Sequence, residues 1–173
     1  ASTVPPGSHG LFAGLTPIDA WTLARWRPPF GTLRPEPAEP VGLGARVRAI
    51  EEAAAYSARR SAEILTELLG TQPREVVLTG GAARGRLWPQ ILADVLGLAI
   101  RMPDVTESAA AGAAAVAGLA VGVRPDAANT AGSASPPARV AEPVPAQRQA
   151  YEELYGQWLR RRPGPSGGAP TGR

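Results

Sequence analysis

The sequence predicts an α/β fold, and three observations carry that reading. Helical periodicity over residues 43–69 gives way to a short apolar run, Val76-Val77-Leu78, and then to a glycine pair, Gly80-Gly81. A second helical stretch, with Trp88, Ile91, Leu92, Val95 and Leu96 at helical spacing, leads into another short extended run at 99–101. A third helical stretch, almost wholly Ala and Gly, follows from Glu107. Helix, strand, turn, helix, strand, helix is the alternation that builds a sheet with helices packed on it.

The elements are read in chain order. Residues 1–41 form an irregular lead-in with short extended pieces, among them Gly10 to Ala13. Trp21, Leu23, Trp26 and Phe30 are apolar anchors in a Pro-rich surround, and PEPAEP at 35–40 is a loop by composition. Residues 42–123 form the α/β core. In its first helix Leu43, Val47, Ile50, Ala54, Ser61, Leu65 and Leu68 fall on one stripe, which is expected to face the core. Gly70 is the expected stop. Val76 to Leu78 shows no polar alternation, the pattern of a strand buried on both faces. Gly97 ends the second helix, and Thr106 caps a third helix whose first turn carries Glu107. Small residues such as Ala109, Gly112 and Ala113 suit that third helix to close packing. Residues 124–145 read as a loop of Pro, Ala, Ser and Gly. A terminal helix over 146–162 presents Tyr151, Leu154, Tyr155, Trp158 and Leu159 on one face, and 163–173 is expected to be disordered.

Composition narrows the chemistry. Twenty glycines and nineteen prolines make up more than a fifth of the 173 residues, against a usual share of roughly 12%. A long coiled coil is excluded by that density of breakers. The absence of Cys excludes a disulfide scaffold, a thiolate metal site and a cysteine nucleophile. The single His, His9, cannot anchor a histidine metal cluster by itself. All eighteen basic residues are Arg, yet the net charge is only +3 and the arginines are dispersed. With three Tyr and two Phe there is little material for a base-stacking platform, so nucleic acid is not an expected partner. The Ala-rich run 108–123 is too short and too mildly apolar to span a bilayer, so a soluble, cytoplasmic protein is expected. The chain begins at Ala1 and its one Met is Met102, as in a processed or partial chain.

The turn after Leu78 is the best place for chemistry. Ligands of open α/β sheets bind beyond the carboxyl ends of the strands. Paired glycines there let backbone approach a phosphate, and N–H groups at the following helix start can hold its oxygens. Arg84 and Arg86 lie just beyond and can add charge or stack on a base. The residues alone are equally compatible with a plain tight turn and solvated arginines. The turn is not GxGxxG, and without Lys it is not a Walker A loop. Asp94, Asp104 and Glu107 read as caps or surface carboxylates, and Asp19 stands isolated. No catalytic residue and no metal ligand set is assigned.

At these same residues the chain resembles the C-terminal domain of the FGGY carbohydrate kinases. The resemblance rests on TGGAARGRLWPQILADVLGLAIRMPDVTESAAAGAAAVAGLAVG, residues 79–122. VPPGSHGLF at 4–12, the helix at 43–69 and EELYGQWLR at 152–160 agree more loosely. The Trp- and Pro-rich lead-in lacks the Gly-Glu-Arg-x-Pro segment of the xylulokinase branch and is more similar to the autoinducer-2 kinase branch. The resemblance implies a ribonuclease H-like domain of the actin and Hsp70 type, incomplete relative to the two-domain kinase. It implies ATP and Mg²⁺, with Gly80, Gly81 and Ala82 against the phosphates and Arg84 and Arg86 near the nucleoside. The Mg²⁺ would be held mainly by the phosphates and by the other domain, and the small-residue helix from Ser108 would pack beneath the site. The sugar site and the catalytic Asp would lie in an N-terminal domain upstream of this chain, which would be inactive alone. A homodimer through the exposed cleft face, and a non-catalytic remnant that keeps the fold, stay open.

Overall fold

The computed structural model describes residues 1–15, 30–33, 37–103, 108–123 and 137–161. Trp21, Leu23, Trp26 and Asp19 of the lead-in lie outside them, as do Asp104, the expected cap Thr106 with Glu107, all of 124–136, and the tail from Arg162.

The order is β1 (Phe12–Leu15), β2 (Phe30–Leu33), α1 (Leu43–Leu69), β3 (Glu75–Val77), α2 (Leu87–Leu96), β4 (Ala99–Pro103), α3 (Ser108–Ala120), β5 (Pro137–Ala141) and α4 (Pro145–Arg161). β1 and β2 form an antiparallel pair, with Phe12 opposite Leu33 and Leu15 opposite Phe30. β3, β4 and β5 form a mixed sheet in that order. β3 runs parallel to β4, and β5 antiparallel to it. The α/β alternation therefore stands, with one addition. β5 lies inside the stretch 124–145 that composition marks as a loop. Its Pro-Ala-Arg-Val-Ala carries little apolar bulk, and pairing with β4 rather than burial makes it a strand.

Glycines close two helices. Gly70 and Gly97 sit at φ +68° and +67°, and their N–H groups donate to Thr66 O and Ala93 O. The main core gathers Phe12, Tyr56, Ile91, Val95, Ile100, Tyr151, Tyr155 and Trp158. Tyr56 lies 6.2 Å from Tyr151 and 5.5 Å from Trp158, ring centre to ring centre. Trp158 also donates its indole N–H to Ala13 O at 2.9 Å, tying α4 to β1.

Three packing expectations are corrected. On α1 the core side carries Ala45, Arg48, Ala49, Glu52, Ala53, Ala55 and Tyr56. Of the expected stripe, Leu43 and Leu68 are each 76% exposed, and Val47 and Leu65 are exposed too. Hydropathy alone selects the Leu face, but close approach selects the Ala face. The charged pair on that face is buried because both charges are satisfied there. Arg48 Nε donates to Glu52 Oε1 at 3.0 Å, and Glu52 also accepts from Gly7 N (3.0 Å), Ser8 Oγ (2.8 Å) and Tyr151 Oη (3.0 Å). Second, β3 is an edge strand and not buried on both faces. Among the described residues it pairs only with β4, and Val77 is exposed. Third, α3 is largely exposed along its small-residue face, including Ala109, Gly112 and Ala113. A Cβ built on Gly112 meets nothing within 4 Å, so close packing is not realised among the described residues.

Candidate functional site

The site is built at the carboxyl end of β3. Leu78 N–H donates to Arg101 O at 2.9 Å, so the ladder to β4 continues one residue past the strand. The chain then turns sharply. Gly80 takes φ +77° and ψ −164°, a conformation open essentially to Gly alone. Gly81–Arg84 follow as a 3₁₀ turn, with Ala83 N–H donating to Gly80 O at 3.1 Å. Ala83 is buried and anchors the turn, whereas Thr79, Gly81, Ala82, Arg84, Gly85 and Arg86 are exposed. Arg86 caps α2.

The glycines differ in what they are for. Gly80 is demanded by its backbone. Gly81 and Gly85 have no positive φ, and a Cβ on either would meet no atom within 4 Å. Neither backbone nor crowding explains their missing side chains. A surface kept bare over two glycines lets a ligand come close to the main chain. Arg84 and Arg86 sit beside the start of α2, the positive end of its dipole, where a bound anion is favoured.

All five residues singled out from sequence, Gly80, Gly81, Ala82, Arg84 and Arg86, thus share one exposed turn. Asp94 does not join them, and Asp19, Asp104 and Glu107 lie outside the described residues. Asp94 is buried rather than on the surface, and its Oδ1 accepts from Val144 N at 2.8 Å and from Gln90 Nε2 at 3.0 Å. Burial pushes its carboxyl above the ordinary value, against those two hydrogen bonds and the field of Arg48. A groove of about 470 Å³ runs past Val4, Arg48, Leu87, Gln90 and Asp94 and includes none of Gly80 to Arg86. Its charged groups are engaged in the structural bonds already described. Among the described residues no group of three or more His, Cys, Asp or Glu is placed to hold a metal ion. No step is routed through Mg²⁺ on these residues.

Sequence reasoning missed one residue at the site. Arg139 of β5 donates to the carbonyl of Ala83, and from the same nitrogen to Gly85 O at 3.3 Å. It lies in the Pro- and Ala-rich stretch, where neither periodicity nor a motif marks it.

Residues 5–121 match the FGGY family of carbohydrate kinases, C-terminal domain. The autoinducer-2 kinase of Salmonella paratyphi A is 35% identical over 161 residues, which is 91% of this chain and 30% of that protein. The autoinducer-2 kinase of Photorhabdus laumondii is 36% identical over 126 residues, 71% of this chain and 23% of that protein. Among solved structures, xylulose kinase from Rhodospirillum rubrum superposes with a TM-score of 0.67 at 25% identity, over 92% of this chain and 31% of the other. Ligand-bound xylulose kinase from Lactobacillus acidophilus shares the fold at a TM-score of 0.69 and 20% identity, over 92% of this chain and 32% of the other. The chain thus spans about 30% of the length of the first curated relative and carries part of an α/β domain. No helix among the described residues is long and apolar enough to cross a membrane. With two thirds of its length inside the family pattern and its glycine turn in that span, the chain belongs to the FGGY carbohydrate kinases, in their C-terminal domain.

Proposed function

We propose that this chain is the nucleotide-binding part of an ATP-dependent carbohydrate kinase. In this reading Gly80, Gly81 and Ala82 lie against the ATP phosphates, and Arg84 and Arg86 lie near the nucleoside. The observation that carries it is the bare turn at the carboxyl end of β3, where a Cβ on Gly81 would meet open space among the described residues. Close backbone approach, exposed N–H groups and nearby guanidinium charge are the recognition chemistry a polyphosphate needs.

The reaction we assign to the complete enzyme is transfer of the γ-phosphoryl group to a hydroxyl of a sugar or sugar-like acceptor. Such a transfer is carried mostly by positioning and charge stabilisation. The described residues offer no carboxylate at the turn to act as base, so we assign the base, the sugar site and the contacts to Mg²⁺ to the N-terminal domain. That domain is the partner this reading requires, in a cytoplasmic enzyme. The acceptor we favour is an autoinducer-2-like molecule, because the autoinducer-2 kinases match at 35% identity over 91% of this chain. D-xylulose is the second choice, favoured by the superposition on xylulose kinase.

Calorimetric titration with ATP and Mg²⁺ tests the binding claim. The chain is expected to bind, and Gly81→Trp is expected to weaken binding at least tenfold with an unchanged melting temperature. Assays with D-xylulose, glycerol and the autoinducer-2 precursor test the division of labour. The isolated chain should show no turnover with any of them. Robust turnover would refute the assignment of the base to another domain.

A further inference from the structure

We propose that Arg139 is a positioning residue for the nucleotide turn, holding two of its peptide planes so that the Arg86 N–H faces the open side. The proposal rests on the nucleotide reading of that turn. Arg139 sits opposite Met102 on the β4–β5 ladder, and its Nη2 lies 3.5 Å from Met102 Sδ. From there the guanidinium reaches the carbonyls of Ala83 and Gly85. These two carbonyls straddle Arg84: that of Ala83 is in the 3₁₀ turn, and that of Gly85 lies between the turn and the start of α2.

The consequence follows from the planarity of the peptide bond. In a trans peptide the C=O of one residue and the N–H of the next point in opposite directions. A donor that pulls the Ala83 and Gly85 carbonyls toward β5 therefore orients both planes: the Arg84 N–H is held in the i→i+3 bonding of the 3₁₀ turn, and the Arg86 N–H is the one aimed at the open side. One side chain sets both planes. Its charge adds to the effect, because its contacts go to neutral acceptors, two carbonyls and a thioether. The cation therefore stays uncancelled by them, just beneath a turn that would hold phosphate.

The same end of β5 ties down the rest of the unit. Gln90 Nε2 donates to Glu142 O at 2.9 Å, and Val144 N–H donates to Asp94 Oδ1. Residues 139–144 thus grip the turn and α2 at three points along one line. Of the three, only Arg139 touches the turn. A change there should alter the geometry of the turn without loosening α2 from the core.

The test uses the whole chain with Arg139→Gln and Arg139→Lys. Hydrogen exchange is followed without nucleotide, and ATP affinity is measured by titration. Arg139→Gln should speed exchange at the Ala83 amide, which the turn bonds to Gly80 O, about tenfold, the loss of roughly one charge-assisted hydrogen bond, while α1 and β4 keep native rates. ATP binding should weaken by a similar factor. Arg139→Lys, which keeps the charge but not the fork, should fall between the two. A merely structural role predicts a general rise in exchange or a lowered melting temperature, with no intermediate place for Lys, and that result would overturn the proposal. So would unchanged exchange at the Ala83 amide. If the native chain binds no ATP, the nucleotide reading fails separately, and the exchange measurement still decides whether Arg139 holds the turn.

Discussion

Arg48 and Glu52, one helical turn apart on α1, form an ion pair at 3.0 Å with both side chains more than nine-tenths buried. The pair is not isolated. Arg48 Nη2 donates to Tyr151 Oη at 2.9 Å, Tyr151 Oη donates to Glu52, and Arg48 Nη1 reaches the carbonyl of Val4. Glu52 also holds Gly7 and Ser8, in the segment where Ser8 and His9 take positive φ. A buried pair of this kind is weak evidence of net stability, but breaking one side strands the other charge. Glu52→Ala should therefore cost about 3–5 kcal/mol in urea unfolding. A loss under about 1 kcal/mol, the range of exposed pairs, would show that the network opens to water.

Tyr56 gives the opposite case. Its ring packs among Tyr151, Tyr155 and Trp158, but its hydroxyl is buried without a hydrogen-bond partner among the described residues. Burial and the neighbouring Glu52 push its ionisation far above the ordinary range, so it stays neutral. Tyr56→Phe keeps the ring and removes the stranded group. It should be neutral or stabilising by up to about 1 kcal/mol, read from a melting curve. A clear loss would mean that the hydroxyl has a partner such as a buried water.

Asp94 sets a pH dependence. Its raised ionisation means that the folded chain holds the proton more tightly than the unfolded chain does. Its contribution is thus fully present below the ordinary carboxylate value and is lost as pH rises through the raised one. Asp94→Asn keeps an oxygen for Val144 N–H and removes the titration. Its stability relative to the native chain should therefore improve from acid to neutral pH. Asp94→Ala should cost about 1–3 kcal/mol at neutral pH, because Val144 N–H loses its acceptor. Parallel pH profiles for the native chain and Asp94→Asn would count against this account.

The two turn glycines should separate stability from binding. Gly80→Ala forces a side chain into a conformation reserved for Gly, and about 1–3 kcal/mol of stability should be lost. Gly81→Ala meets open space at an ordinary φ and should leave stability within about 0.5 kcal/mol. Paired melting curves check this directly. Equal losses at both positions would place Gly81 under a constraint the geometry does not show.

Much of this was legible in the residues, for local reasons. Gly70 and Gly97 stop their helices where left-handed caps are needed, and the strand, glycine turn and helix over 76–96 announce themselves by period and punctuation. Of the face read as Tyr151, Leu154, Tyr155, Trp158 and Leu159, the three aromatics are buried, whereas Leu154 is half-buried and Leu159 exposed. Sequence failed where long-range contacts decide. The docked face of α1 is chosen by Glu52 meeting Gly7 and Ser8, more than forty residues away, and no hydropathy stripe reports that. β5 is a strand because β4 lies beside it, not because of its own composition. Arg139 was invisible for the same reason, since its partners lie more than fifty residues upstream.

The central claim is that the bare turn at the end of β3 receives a nucleotide. The most direct measurement is amide chemical-shift mapping of the chain during titration with ATP and Mg²⁺. The account predicts shifts concentrated at residues 79–86, saturating with ATP and abolished by Gly81→Trp. Saturable shifts centred instead on the groove beside Arg48 and Asp94, with 79–86 unmoved, would contradict it.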